Sequence, residues 1–297
     1  MGITKIAWTN KSWNPVSGCT PVSEGCRHCY ARAMAMRQGG RNGYPADEPF
    51  RVTWHEDRVE DPMHWRKPAM VFVCSMGDLF HAGVTDGQRD RVFDVIRRAP
   101  QHTYQILTKR PELAAAYLSH ASRARTRMVP HGWFGTSVED ASSASRRLGV
   151  LAEIPVLHRF ASVEPLLGAV DLRPWLGWLQ WVIIGCESRG GRYGRSLMDH
   201  QRPGNDGGET NPITHAREEW LLAAAEMVAD CRAAGVPVFV KTIPGEDGRL
   251  VTSVMEFPES LRYREWPAAM MDVGFSKVNE DGGRSPPYKR RAEPAPR

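Results

Sequence analysis

Three cysteines crowd into one short stretch of this chain, WNPVSGCTPVSEGCRHCYARAM, as Cys19, Cys26 and Cys29 in a C-x6-C-x2-C pattern. Thiolates are ligands for soft metals, and a close C-x2-C pair is a ligand signature. Pro15, Gly18, Pro21 and Gly25 make the chain loop here, which lets three sulfurs face one small object. A structural zinc site takes four protein ligands, so it needs His28 or a distant cysteine to complete it. His28 lies between two of the cysteines, where ligation by all three neighbours strains the loop. A [4Fe–4S] cluster held by three cysteines leaves one iron open for a small molecule. Three unligated thiols in a turn is the plain alternative. Cys74, Cys186 and Cys231 stand singly in apolar surroundings and read as small buried hydrophobes. Six cysteines so dispersed do not make a disulfide framework.

The elements that must position this loop follow from the hydrophobic pattern. Short apolar runs recur at Met70–Cys74, Thr103–Leu107, Trp133–Val138, Val156–Ser162, Trp181–Gly185 and Val236–Lys241. Segments with helical character separate most of them, at Gly87–Ala99, Pro111–Ser119, Ala141–Leu151 and His215–Ala234, and another helix is expected from near Arg27. Strand and helix in alternation imply right-handed βαβ units and a parallel sheet. With a further strand near Lys5–Trp13 the expectation is an α/β fold, a partial or complete parallel βα-barrel of the TIM type. An open doubly wound sheet is the alternative. Gly39–Lys67 reads as an insertion and Ser188–Thr214 as a glycine-rich loop over one end. Residues 1–256 are expected to form the barrel. Residues 257–297 are expected to form an appendage, ending beyond Asn279 in a disordered basic tail.

In a βα-barrel, chemistry gathers at the C-terminal ends of the strands. Ser75 and Asp78 follow the run ending at Cys74, and Thr108, Lys109 and Arg110 follow the next. Glu139 comes after Val138, Glu164 after Ser162, Glu187 after Cys186, and Lys241 closes the last run. One rim is therefore expected to carry acids, bases and the cysteine loop together. Plainer roles also exist: Asp140 or Ser137 capping a helix, Thr108 capping before Pro111, and Glu139 pairing on the surface with Arg146 or Arg147. Lys241 ends a strongly apolar run, and a buried lysine needs an anion or a carboxylate partner such as Glu164 or Glu187. The run Gly185–Gly191 reads as a backbone cradle for an anion or cofactor. The tryptophans read as core and loop anchors.

The ordered motifs SGCTPVSEGCRHCYA, SMGDLFH, LTKRPE, GTSVED, SVEPLLG, IIGCESRGG and GVPVFVKT resemble those of an uncharacterised phage-type family with a three-cysteine motif. That family is similar to radical SAM enzymes. The resemblance runs over about residues 6 to 265. It implies a partial barrel whose first loop carries a [4Fe–4S] cluster on Cys19, Cys26 and Cys29, with S-adenosylmethionine as cosubstrate. Ser75 and Asp78 stand where that group of enzymes holds the SAM amino group. Lys109, Glu139, Glu164, Glu187 and Lys241 are the further candidates for cofactor binding. The first cysteine spacing here, x6, is longer than the commonest x3, and His28 stands where an aromatic residue is usual. An external electron donor and a nucleic-acid or nucleotide substrate are the expected partners. The alternative is a zinc- or cluster-binding protein without SAM chemistry that binds nucleic acid or another protein.

Composition fits a globular chain: 297 residues, 41% hydrophobic and 25% charged. No apolar run reaches the roughly 18 residues needed to cross a bilayer, and the first residues do not resemble a signal peptide. The expectation is a cytoplasmic protein that does not enter membranes. The net charge is +5, but the last fourteen residues hold five basic groups and one acid, so the body carries about +1. A body so near neutrality lacks the broad basic face of a phosphate-binding surface.

Overall fold

Alternate residues along each central strand face opposite ways, and in this chain both sets are apolar. The computed structural model describes residues 4–120, 129–187, 212–246 and 250–271, without the side chains of 212–216 and 271. In chain order the elements are β1 (Lys11–Trp13), β2 (Val16–Ser17), α1 (Tyr30–Arg37), β3 (Thr53–Trp54) and β4 (Met70–Val73). They continue as α2 (Asp86–Arg98), β5 (Thr103–Thr108), α3 (Pro111–Leu118), β6 (Gly132–Val138), α4 (Ala141–Glu153), β7 (His158–Val163) and β8 (Trp181–Ile184). The last are α5 (Pro212–Ala233), β9 (Val238–Val240), the pair β10 (Ile243–Pro244) and β11 (Leu250–Val251), and α6 (Ala268–Met271).

Seven strands form one sheet in the order β1-β4-β5-β6-β7-β8-β9, and every neighbouring pair is parallel. Strands added in sequence order on one side keep their helices on one face, and the sheet curls into a half-barrel. The fold is thus α/β and compatible with the partial βα-barrel expected.

The two faces bury different sets. Outward residues Val71, Val73, Ile106, Phe134, Val163, Val182 and Val240 pack under helix residues such as Val92, Ile96, Leu148, Trp220 and Val228. Inward residues Met70, Phe72, Trp133, Phe160, Trp181, Ile183 and Phe239 form a second core, closed by Trp8, Met270 and the half-buried Trp266. Burial on both faces is why these strands read as continuous apolar runs. Gly135 pairs with Phe160 across β6 and β7. A Cβ there would lie 2.5 Å from the Phe160 ring, so the glycine makes room for that ring.

Several boundaries differ from those expected. The first strand begins at Lys11 rather than near Lys5, because residues 6–9 form a turn that sends Trp8 into the inner core. The helix expected from Arg27 begins at Tyr30. A 3-10 turn at Glu24–Cys26 precedes it, and Cys29 has non-helical backbone angles at the cap position. The strand expected from Val156 begins at His158, and that expected from Val236 begins after Pro237, which has no N–H for the ladder.

Within Gly39–Lys67, β3 pairs antiparallel with β2. His55 Nε2 lies 2.7 Å from Ser17 Oγ, and Trp13 Nε1 donates to Arg58 O at 2.8 Å, tying the insertion to the first strands. Residues 257–271 supply Phe257 and Leu261 to the outer core and Met270 to the inner one. Most of Ser188–Thr214, the end of the Gly185–Gly191 run and the tail beyond Asn279 lie outside the described residues. Among those described, no helix is long and apolar enough to cross a membrane.

Candidate metal centre

All strands of a parallel sheet end on the same rim, and the cysteine loop, between β2 and α1, lies across it. Each cysteine region is steadied by residues just beyond the strand ends. Gly18 forms a parallel bridge with Gly77, beyond the end of β4. A Cβ on Gly18 would lie 2.1 Å from Arg51 O, and its φ is +84°, so only glycine suits this close approach. Arg110, beyond β5, donates from Nη1 to Cys19 Sγ at 3.2 Å and from Nη2 to Thr20 O at 2.7 Å. The same Nη1 lies 3.1 Å from Asp78 Oδ2. Asp78 also accepts from Phe80 N, Thr108 Oγ1 and Lys109 N. Burial pushes the Cys19 thiol up to about 11, helped by the Asp78 charge and opposed by Arg110.

Cys26 is held differently. Glu139, at the end of β6 and 1% exposed, reaches under the loop just before this cysteine. Its Oε1 accepts from Ser23 Oγ at 2.7 Å, and its Oε2 accepts from Gly25 N at 3.0 Å. Lys109 Nζ donates to Oε1 at 2.5 Å, and Arg147 Nη1 does so at 3.3 Å. Burial alone would raise the Glu139 pKa, but the Lys109 charge and hydrogen bonds from Lys109 and Ser23, with Arg147, bring it to about 2. At Cys26, burial also pushes the thiol up. The Lys109 ammonium and hydrogen bonds from the loop outweigh it, so this thiol lies below its ordinary value.

Cys29 caps α1, next to Tyr30, whose hydroxyl donates to Ser75 O at 2.5 Å. Ser75 Oγ and Met76 N in turn donate to Asn14 Oδ1. Burial pushes the Tyr30 phenol well up, and its neighbours Cys29 and Glu164 add to that. Glu164, beyond β7, forms an ion pair with Lys241, beyond β9. Their side chains remain 13% and 18% exposed. A Cβ on Gly185 would approach Glu164 Cγ at 3.0 Å. Gly25 stands in the same relation to Glu139, its Cβ position being 2.6 Å from Glu139 Cδ. Glu139 and Glu164 therefore each occupy space that a glycine leaves open.

Most of the expected site residues thus gather along one rim. Ser75, Asp78, Lys109 and Glu139 contact the cysteine loop, or residues that do. Glu164 and Lys241 pair beside Tyr30 and Cys186. Glu187 is buried beyond β8. Lys241 finds its carboxylate in Glu164. The expected surface pairing of Glu139 with Arg146 or Arg147 is corrected: the partner is Arg147, and both side chains are only 2% exposed. The helix repeat turns Arg147 inward, under β6. Asp140 caps α4, with Ser143 completing the box. Thr108 does not cap α3 through its side chain, because its hydroxyl serves Asp78 and Arg110 N. Cys74 and Cys186 are buried, and burial pushes both thiols up. Sequence reasoning missed Ser23, Asn14 and Tyr30. The only trace of the Ser23–Glu139 contact in the sequence was Gly25, a glycine placed just before Cys26.

A tetrahedral zinc with bonds of about 2.3 Å to sulfur draws its thiolates to about 3.8 Å from one another. Among the described residues, no three His, Cys, Asp or Glu form a group that could hold a metal ion. Three thiols on one anchored loop, two of them beside cations, are donors of the right chemistry for either iron or zinc.

A family model described as protein of unknown function (DUF5131) matches residues 3–201. The chain belongs to that family. The DUF5131 match takes in the cysteine loop, β1 to β8 and the rim residues through Glu187, and stops before β9 and Lys241. No curated protein and no solved structure matches the chain. Neither the radical SAM likeness nor the phage link finds support in these comparisons.

Proposed function

We propose that this DUF5131 protein is a radical SAM-like enzyme in which Cys19, Cys26 and Cys29 hold a [4Fe–4S] cluster and S-adenosylmethionine is the cosubstrate. The observation that carries this reading is that the three-cysteine loop lies on the same half-barrel rim as two lysine–carboxylate pairs. When bound, the cluster and its cosubstrate supply one-electron cleavage of a carbon–sulfur bond, which starts hydrogen abstraction from a substrate.

The chain's own residues do the rest. Lys109 places positive charge beside Cys26 and favours the thiolate that metals bind, whereas at Cys19 the Arg110 cation only partly offsets burial and the Asp78 charge. Glu164 and Lys241, still partly open to solvent, offer an anion and a cation side by side. That pairing suits a ligand bearing both an amino and a carboxylate group, as S-adenosylmethionine does. The apolar inner wall of Phe160, Ile183 and Phe239 closes the floor of the half-barrel below the rim and keeps water out of it.

Anaerobic purification followed by iron, sulfide and zinc analysis tests the first half of this reading. The expected result is about four irons and four sulfides per chain, lost in Cys26→Ala. Adding S-adenosylmethionine to the reduced protein should change its EPR spectrum and yield 5′-deoxyadenosine. Zinc alone overturns the cluster. An unchanged spectrum with no nucleoside product keeps the cluster and removes the cosubstrate.

A further inference from the structure

Metal-binding loops come in two kinds. Some are ordered by the metal, as in zinc fingers, which unfold without it. Others are shaped beforehand by the protein. The fastenings of the cysteine loop to the rim that involve no metal include Arg110 on Thr20 and Cys19, Glu139 on Ser23 and Gly25, and Tyr30 on Ser75. The Glu139 fastening is unusual in its cost and its commitment. Taking a carboxylate out of water is expensive unless its lone pairs are met. Here both oxygens are engaged, by Ser23 Oγ, Gly25 N, Lys109 Nζ and Arg147 Nη1. Two of those donors belong to the cysteine loop and two to the barrel. The carboxylate therefore joins two parts of the chain more than a hundred residues apart.

We propose that Glu139 is a positioning residue: it fixes the Ser23–Gly25 turn, and with it Cys26, so that the loop is formed before any metal arrives. The proposal rests on the cluster reading for what Cys26 does, but not for how Cys26 is held. Gly25 completes the arrangement. It donates its N–H to the carboxylate and has no Cβ, and a methyl there would collide with Glu139 Cδ at 2.6 Å. The loop can thus be displaced from either side, by changing the carboxylate or by adding one carbon opposite it. Cys19 is an internal control, because Arg110 holds it by a different route.

The experiment uses full-length protein, reduced and treated with chelator to remove metal. Hydrogen exchange of residues 22–27 is measured together with iodoacetamide alkylation at Cys19, Cys26 and Cys29, resolved by peptide mass spectrometry. In the unmutated protein the Gly25 amide should be protected at least 10-fold relative to a free peptide. Glu139→Gln, Ser23→Ala and Gly25→Ala should each remove most of that protection. Each should also speed alkylation of Cys26 several-fold while leaving Cys19 within 2-fold. A merely structural loss would speed all three thiols alike. If Glu139→Gln does not fold, Ser23→Ala and Gly25→Ala decide, since neither strips Lys109 and Arg147 of their partner.

The proposal is overturned if the metal-free loop exchanges at the free-peptide rate, or if the variants leave Cys26 unchanged. Iron content measured on the same preparations separates the two claims. A chain that binds no iron but shows the Cys26-selective change loses the cluster and keeps the positioning role. One that binds iron without that change does the reverse.

Discussion

A carboxylate buried as deeply as Glu139 ties the stability of the rim to pH. Its pKa falls from the ordinary 4.5 to about 2 in the folded chain, so folding favours the ionised form. The stabilisation is complete above about pH 4.5 and is lost as pH drops toward 2. Glu139→Gln should be less stable at neutral pH, and its urea midpoint should fall less steeply across that acid window. Parallel acid limbs would take this role away from Glu139. The Glu164–Lys241 pair allows a second residue-level test. Lys241→Met leaves a carboxylate beside buried Cys186 without its cation. Residual exposure should keep the loss to about 2 kcal/mol, below the roughly 3–5 of a fully buried pair. Adding Glu164→Gln should recover part of it. A double-mutant cycle in urea reads the coupling, and strict additivity would mean that the pair contributes nothing. At this scale the sequence named the groups and a short choice of ion-pair partners, Glu164 or Glu187 for Lys241 and Arg146 or Arg147 for Glu139. It did not name the contact that holds the cysteine loop. Glu139 and Lys241 were visible as polar ends of apolar runs, whereas Ser23 lies more than a hundred positions from the carboxylate that binds it. No local pattern encodes such a contact.

Elements were more legible. The apolar runs became strands, and the periodic segments between them became helices, because burial on one stripe or on two faces leaves a repeat in the sequence. Boundaries moved where a local device intervened. Thr85 and Gln88 form a reciprocal cap that starts α2 at Asp86, one residue before the expected Gly87. Thr85→Ala should cost about 1 kcal/mol, measurable as a shift in urea midpoint with unchanged slope. Cys29, whose backbone angles are non-helical, stops the helix from reaching back to Arg27, which separates the last cysteine from the turn that carries Cys26. Gly135 shows how packing alone selects a residue. Gly135→Ala should cost about 1–3 kcal/mol, since the added methyl meets the Phe160 ring between packed strands. A neutral result would mean that the ring can turn aside.

At the scale of the molecule, the half-barrel is closed from below by chain segments far apart in sequence. Trp8 comes from before the first strand, and Trp266 and Met270 from after the last. Phe257 is 1% exposed in the outer core, so residues 257–271 should melt with the barrel. Phe257→Ala should lower stability by about 3 kcal/mol while leaving one cooperative transition. A separate early transition would show that this stretch folds by itself.

Composition and periodicity were enough for a parallel α/β chain whose strand ends are polar and whose three thiols share one loop. Those properties are written locally, in residue type and repeat. Which carboxylate meets which cation, and that Glu139 and Arg110 fasten the cysteine loop to the rim, was decided only by the curling of the sheet. Curvature brings strand ends together in space without leaving a mark at any one position along the chain.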